Sequence, residues 1–249
     1  MGIIVKSAGE IAIMRQAGKI VGTVLDILSH EVKPGMTTAE LDIIAAREVA
    51  NLGAKPSFKG YHGFPATLCV SVNDEIVHGI PGKRVLREGD IVSLDFGAIF
   101  NGFQGDAAVT VGVGKIAPEA KRLMETTKGS LEAGIAAASP GATLGDISAT
   151  IQDYAESRGY SVVREYTGHG IGREMHEDPQ IPNFGLPGTG PVLKKGMTLA
   201  LEPMVNTGDW RTRLGNDHWT VLTADGSLSA HFENTIVITD AEPEVLTMV

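Results

Sequence analysis

The sequence lacks several features that mark particular classes of protein. Its 249 residues include one cysteine, Cys69, which excludes an intramolecular disulfide framework and favours a reducing compartment. No apolar stretch approaches the ~20 residues needed to span a bilayer, and the apolar run at the N-terminus is too short for the core of a signal peptide. We therefore expect a cytoplasmic protein that is not inserted in a membrane.

Long runs of charge and long linkers are also missing. The net charge is −9 and the two signs are interspersed, which disfavours stable nucleic-acid binding through phosphate contacts. There is no H-E-x-x-H motif, so the sequence does not predict the helix-borne site of the single-zinc peptidases. No stretch rich in proline, glycine or serine is long enough to separate independent domains.

One stretch in the middle of the chain, VSLDFGAIFNGFQGDAAVTV, predicts two β-strands joined by a tight turn. Its Asn101-Gly102 pair favours the positive φ angles of a type I′ turn. If these are the two loop residues, Asp95 faces Ala108, which shares its face with Asp106. The two carboxylates then lie diagonally, with Cβ atoms roughly 7–8 Å apart, a separation that suits two metal ions about 3.5–4 Å apart. The alternative is that both aspartates face water.

Two segments of the first half recur in the second half. PGMTTAEL resembles PGATLGDI 106 residues later, and REGDIVSLDF resembles KKGMTLALEP 107 residues later. This spacing indicates the duplication of a helix–helix–strand unit. Capping boxes at Ser7 and Thr37, together with the strand patterns that follow, predict an α+β fold with a mixed, mainly antiparallel sheet covered by helices. We predict one domain over residues 1–249, with pseudo-symmetric halves of roughly 1–115 and 116–249.

The duplication places a second acid at the position equivalent to Asp95. At an offset of 107 residues, Asp95 aligns with Glu202 in ALEPMV. Because a buried charge without a partner is costly, two buried acids at symmetric points suggest a shared cation. His169 lies between glycines, where the backbone can approach a ligand closely, and is a further candidate. Glu233 lies in the last strong strand pattern, where a cross-strand ion pair on the outer face is the alternative.

The remaining histidines and acids have more ordinary predicted positions. His231 would share a strand face with Glu233 under strict alternation, but it could equally be exposed. His62 aligns with His169 at the same offset, although a duplicated site usually specialises in one half. Glu177 and Asp178 precede Pro179 and are expected to cap or solvate a turn.

These residues belong to motifs that together resemble the type I methionine aminopeptidases. In chain order the motifs are NDEIVHGIP, SLDFGAIFNGFQGDAAVT, GHGIGREMHEDP, LALEPMVN and FENTIVIT. The resemblance extends from the helix after Ser7 to the strand that contains Glu233. It implies the pita-bread fold, in which two αβ halves of one catalytic domain enclose a di-metal site. The implied activity is removal of initiator methionine from nascent proteins whose second residue is small and uncharged.

The resemblance also implies the roles of individual residues. The implied metal ligands are Asp95, Asp106, His169, Glu202 and Glu233. Four carboxylates and one imidazole suit two divalent ions, without choosing among Mn, Fe(II), Co and Zn. A bridging water acidified by these ions would be the nucleophile. Glu202 would shuttle a proton, His176 would stabilise the oxyanion and His78 would hydrogen-bond the substrate amide.

The motifs further imply an apolar pocket for the methionine side chain. Its expected wall residues are Tyr61, Phe64, Cys69, Met175 and Trp219, with Phe58 as an additional candidate. The alternative for each of them is plain core packing. The implied partners are the N-termini of nascent polypeptides, with a transient ribosome contact, and a monomer is expected.

Three other functions compete with this hypothesis. A proline-specific peptidase would share the fold, but such enzymes usually carry a substantial N-terminal domain. A catalytically inactive binding protein would have no reason to keep paired buried acids, and all five ligand positions are intact. A structural protein with scattered surface acids would not produce the symmetry of Asp95 and Glu202.

Overall fold

A computed structural model describes residues 2–248 of the chain. The helices in this part are α1 (Ala8–Glu31), α2 (Thr38–Asn51), α3 (Pro118–Ala137) and α4 (Leu144–Glu156), with a short 3-10 turn at Tyr61–Gly63. The strands are β1 (Lys55–Pro56), β2 (Cys69–Val72), β3 (Glu75–Val77), β4 (Ile91–Phe100), β5 (Phe103–Gly112), β6 (Ser161–Val162), β7 (Thr167–Gly170), β8 (Glu177–Pro182), β9 (Thr198–Leu201), β10 (Met204–Asn206), β11 (Thr212–Leu214), β12 (Val221–Thr223), β13 (Ser229–His231), β14 (Glu233–Val237) and β15 (Glu244–Val245). No helix among these residues is both long and apolar enough to cross a membrane.

Side-chain caps fix where three of the helices begin. Ser7 and Thr37 each accept a hydrogen bond from the backbone N–H three residues on, and the glutamate at that position accepts one in return. Both predicted capping boxes are therefore confirmed. At the start of α4, the Thr143 N–H donates to the carboxylate of Asp146 in the same arrangement. The duplicated unit thus repeats its helix start.

One large sheet runs through both halves of the chain. Within residues 2–248 its strand order is β1-β4-β5-β14-β9-β7-β8, with β15 paired to β14 and β2 paired to β4. These pairings are antiparallel, as expected for most of the sheet. Smaller sheets are formed by β13-β10-β6 and by β11-β12-β3. Because β5 of the first half pairs with β14 of the second, we propose that the halves fold as one domain.

The register of the β4–β5 hairpin follows from its turn. Asn101 and Gly102 have φ angles of 47° and 79°, as a type I′ turn requires. Phe100 therefore pairs with Phe103, and Asp95 pairs with Ala108. The predicted register is confirmed, so Asp95 and Asp106 share one face of the sheet.

The duplication is visible in the backbone. Thr37 forms an isolated bridge with Val85, and Thr143 forms the equivalent bridge with Val192. Strands β4 and β9 begin at Ile91 and Thr198, which is the offset that the sequence predicted. Each half therefore contributes a central strand to the same sheet and two helices that pack against it.

Helices cover one face of this sheet and the acids point to the other. Leu94 and Phe96 of β4 are buried in the core cluster that contains residues of α1 and α2. Leu199 and Leu201 of β9 are buried in the cluster that contains residues of α3 and α4. Successive side chains of a strand point to opposite faces. Asp95, between two helix-facing residues, therefore points away from the helices.

Candidate metal centre and substrate cavity

Five side chains line one cavity on the face of the sheet opposite the helices. They are Asp95, Asp106, His169, Glu202 and Glu233. Strand register explains how they meet. Ala108 lies between Asp95 on one side and Glu233 on the other in a row across β4, β5 and β14, and His169 pairs with Ala200 of β9. All five residues predicted as metal ligands are therefore brought together.

The donor atoms lie close to one another. Three residues, Asp106, His169 and Glu233, each offer a potential ligand atom within 4.8 Å of the other two. This is the one cluster of at least three such side chains found among residues 2–248. Nε2 of His169 is 3.9 Å from Oδ2 of Asp106 and 3.6 Å from Oε1 of Glu202. Asp95 completes the cavity wall beside them.

The hydrogen bond of His169 fixes which nitrogen faces the acids. Nδ1 lies 2.9 Å from the carbonyl oxygen of Gly170, and a carbonyl can only accept, so Nδ1 carries the proton. Nε2 is then the lone-pair nitrogen directed at the carboxylates. A backbone carbonyl that holds the second ring nitrogen is the usual support of a metal-binding histidine.

Burial shifts the pKa of these groups toward their neutral forms. It raises the pKa of Asp95 to about 7. Burial and the neighbouring carboxylates together raise the pKa of Asp106, Glu202 and Glu233 well above the usual range. Burial also lowers the pKa of His169 to about 3, so its imidazole is neutral. Four acids in this setting ionise together only if positive charge compensates them.

The unpartnered oxygen atoms of the cluster fit a divalent metal ion. Asp95 Oδ1, Asp106 Oδ1 and Glu233 Oε1 are buried and have no hydrogen-bond partner within the described part of the chain. Buried polar atoms of native proteins are normally satisfied, and a cation would satisfy these oxygens. Carboxylate oxygen with one imidazole nitrogen is a donor set that divalent transition metals accept.

The same cavity, about 200 Å³ in volume, has an apolar end. Phe64, Cys69 and Trp219 line it, as does Tyr61, and the rings of Phe64 and Trp219 meet edge to face at 5.2 Å. Cys69 pairs with Asp95 across β2 and β4, so the apolar wall begins beside the acids. Burial raises the pKa of the Cys69 thiol well above its usual value, which keeps the sulfur uncharged.

Met175 lies behind this wall, which corrects its predicted place. It is 2% exposed and packs with Phe58 and Tyr61 in one buried cluster, whereas the cavity is lined by Phe58 and Tyr61 themselves. A Cβ at Gly97 would come within 2.8 Å of the Met175 Cε. The methionine therefore fills the space left by a glycine of β4 and supports the wall from behind.

The two histidines predicted to contact substrate also line the cavity. His78 follows β3 and packs edge to face on Tyr166, with ring centroids 5.7 Å apart. The His176 ring lies 4.3 Å from that of His169, and its Nδ1 is 2.7 Å from the Tyr61 hydroxyl. If that hydroxyl donates, Nε2 of His176 carries the proton and is free to donate. Burial lowers the pKa of His78 to about 4 and also lowers that of His176.

Two histidines that were not predicted as metal ligands, His62 and His231, lie at the cavity or beside the metal-ligand cluster. His62 lines the cavity with a φ angle of 48°, so the offset that aligned it with His169 did mark a site position. His231 is 1% exposed, and its Nε2 lies 3.8 Å from Oε2 of Glu233. Strict alternation had put it on the face of Glu233, and the structure places it inside rather than in solvent.

A buried ion pair beside the cavity had no sequence signal. Glu177 accepts hydrogen bonds from the backbone N–H groups of Arg173 and Glu174, so the predicted turn cap is confirmed. Its carboxylate is not solvated, however, because it pairs with Lys6, and the two side chains are 6% and 3% exposed. The pair ties the N-terminal segment to the loop that carries His176.

Metal binding to this cluster should release protons. The raised carboxyl pKa values mean that metal-free protein retains protons at pH 7 that an ion must displace. The protonated form competes with the ion, so the apparent Mn²⁺ affinity should rise between pH 6 and pH 8, by roughly tenfold per pH unit for each proton displaced. Titration calorimetry in two buffers of different ionisation enthalpy counts the protons. Asp26→Asn, an exposed acid on α1, should leave that count unchanged. A pH-independent affinity would contradict the assignment.

Comparisons with known proteins agree with this geometry. The model of metallopeptidase family M24 matches residues 12–240. A methionine aminopeptidase of Clostridium acetobutylicum is 56% identical over 247 residues, which cover 99% of each chain. The crystal structure of a methionine aminopeptidase from Thermotoga maritima is 50% identical, with a TM-score of 0.98 and coverage of 100% of both chains.

A more distant structure shows similarity of fold alone. The prolidase from Pyrococcus furiosus is 23% identical, with a TM-score of 0.81, and the match covers 99% of this chain and 66% of that one. The predicted pita-bread fold is confirmed by these structures. The match to a metallopeptidase family and the buried cluster of Asp106, His169 and Glu233 together indicate that the protein binds divalent metal. The chain belongs to metallopeptidase family M24 and, within it, to the methionine aminopeptidases.

Proposed function

We propose that this protein is an aminopeptidase that removes the N-terminal methionine from polypeptides whose second residue is small and uncharged. The observation that carries the proposal is the cavity itself. Five potential metal ligands line it, and its apolar end offers a surface that suits the side chain of methionine. The relatives at 56% and 50% identity bear the name of that activity. The restriction to a small second residue rests on the family resemblance.

The five-residue cluster would hold two divalent metal ions. Asp106 and Glu233, the most central carboxylates, would contact both ions, with Asp95 nearer one and His169 and Glu202 nearer the other. Four carboxylates would carry −4 against +4 for two divalent ions, which supports a pair over a single ion. The donor set suits Mn, Fe(II), Co or Zn equally. When bound, such ions supply Lewis-acid chemistry, since they lower the pKa of water and polarise a peptide carbonyl.

The surrounding side chains would position the peptide and move its protons. The Glu202 side chain is 15% exposed, against 6% for Asp106. It is the carboxylate proposed to take a proton from water and deliver it to the leaving amine. His176, with its Nδ1 held by Tyr61, would donate from Nε2 to the oxygen of the first peptide group as negative charge develops there. His78 would hydrogen-bond the next amide of the substrate.

The apolar end of the cavity would hold the methionine side chain. Phe64, Cys69 and Trp219 offer carbon and sulfur surface without charge, and the acids close the opposite end. A side chain bound there would lie with its own α-amino group next to the carboxylates. That arrangement supports cleavage after the first residue and not within a chain.

The proposed substrates are the N-termini of nascent polypeptides, which places the protein in the cytoplasm. A ribosome contact would be transient and local, since a net charge of −9 gives no support for stable RNA binding. A monomer suffices for the proposed reaction, because every side chain assigned to it belongs to one chain. No membrane partner is proposed.

The proposed activity predicts a specific pattern of peptide cleavage. With Mn²⁺ or Co²⁺ the protein should release methionine from Met-Ala-Ser, because the apolar end accepts methionine. Met-Lys-Ser should be cleaved at least about tenfold more slowly, and chelation should abolish both reactions. Product analysis by mass spectrometry is the measurement. If no peptide is cleaved under any metal, the enzyme proposal fails, and preferential cleavage of the dipeptide Ala-Pro would favour a proline-specific peptidase.

Two substitutions test the assigned proton transfer and oxyanion contact. Glu202→Gln keeps an oxygen atom that can coordinate a metal ion, but the amide cannot accept and release a proton. This variant should have a kcat roughly 10²–10⁴-fold lower. His176→Ala removes the donor to the developing oxyanion and should lower kcat by roughly 10²–10³-fold. His30→Ala, a histidine with a 79% exposed side chain on α1, is the matched control with unchanged kcat. Steady-state kinetics with metal content measured in parallel separates catalysis from ion loss. Near-normal turnover of either variant removes that residue from the mechanism.

A further inference from the structure

His231 is a buried polar side chain that the proposed reaction does not use. It ends β13, is 1% exposed, and its Nε2 has no hydrogen-bond partner among residues 2–248. An apolar residue of similar size would fill the same space without leaving a nitrogen unsatisfied. A buried imidazole at this position therefore calls for a partner.

The backbone at His231 is held by contacts on both sides. Its N–H donates to the hydroxyl of Thr110 at 3.0 Å, and that hydroxyl donates to the carbonyl of His231 at 2.7 Å. On the other side, His231 pairs with Met204 across β10 and β13. The Ser93 hydroxyl lies 2.8 Å from the same Thr110 hydroxyl, and this contact links the hydrogen-bonded pair of Thr110 and His231 to β4. The ring is thus carried on a backbone held from both sides.

The free nitrogen is directed at a carboxylate of the metal cluster. Nε2 of His231 lies 3.8 Å from Oε2 of Glu233, within about 1 Å of the usual N–H···O distance. The other oxygen of Glu233, Oε1, is buried and has no hydrogen-bond partner in the described part of the chain, so no such bond holds the carboxylate away from the ring. A small rotation of the imidazole ring or of the carboxylate would bring Nε2 of His231 within hydrogen-bond distance of Oε2 of Glu233.

We propose that His231 is a positioning residue, whose Nε2–H donates to Glu233 and orients that carboxylate toward the metal ions. The inference rests on the proposed role of Glu233 as a metal ligand. It gives the buried imidazole its missing acceptor and gives one oxygen of Glu233 a donor. Each carboxylate oxygen has two lone pairs, so both oxygens of Glu233 can still coordinate a metal ion. Partners of this kind set ligand geometry and affect metal affinity by roughly 10–100-fold.

The test compares Mn²⁺ binding in chelator-stripped protein and three variants by titration calorimetry. His231→Leu keeps the volume and removes the donor, and should bind Mn²⁺ roughly 10–100-fold more weakly. His231→Gln keeps an N–H donor and should restore most of the affinity. Ser229→Ala changes another buried side chain of β13 and should bind like the unmodified protein. Thermal unfolding with chelator should show no loss of stability in His231→Leu, since Nε2 of His231 makes no hydrogen bond within residues 2–248 that the substitution would remove.

The outcomes separate this inference from the proposed function. If the unmodified protein binds no Mn²⁺, the metal centre fails and the role of His231 with it. If it binds and His231→Leu binds equally well, only the role of His231 is overturned, as it is if His231→Gln is as weak as His231→Leu. Nitrogen-15 spectra of histidine-labelled, Zn²⁺-loaded protein test the donor without substitution. A protonated Nε2 of His231 supports the proposal, and an unprotonated Nε2 overturns it.

Discussion

Four carboxyl groups gathered in one cavity, two of them almost fully buried, are the constraint on which the rest of the structure depends. Asp106 and Glu233 are 4% and 3% exposed, and close acids at such depth repel one another and lose their hydration. The fold tolerates them because strand register gathers them around one imidazole, where a cation can compensate all four. Without that compensation their protonated forms are favoured, as the raised pKa values of Asp106 and Glu233 indicate.

The remaining architecture serves this cluster. Helices of both halves pack on the opposite face of the sheet, so the acid face is left for chemistry. β14 lies between β5 and β9 and joins the hairpin aspartates to Glu202 of the second half. The segment before β2, β2 itself and the loop between β11 and β12 supply the apolar end of the cavity. Met175 supports that wall from behind. Buried groups around the cluster, His231 and the Lys6–Glu177 pair among them, hold its ligands and loops in place.

Local rules made much of this predictable from the sequence. The Asn101-Gly102 turn fixed the hairpin register, capping motifs fixed two helix starts, and the repeat spacing placed Asp95 and Glu202 at equivalent points. What failed depended on contacts distant in the sequence. Lys6 and Glu177 are 171 residues apart, and no periodic pattern reports such a pair. Met175 lies behind the cavity wall because Gly97 leaves space there, which is a packing detail rather than a motif.

The central claim is that these acids are buried to bind cations, and anomalous diffraction tests it most directly. Crystals of the protein grown with Mn²⁺ should show two anomalous peaks in the cavity, contacted by Asp95, Asp106, His169, Glu202 and Glu233. The same crystals after chelation should lose both peaks while the five side chains remain together. Peaks bound by other side chains, or an empty cluster at saturating Mn²⁺, would contradict the account.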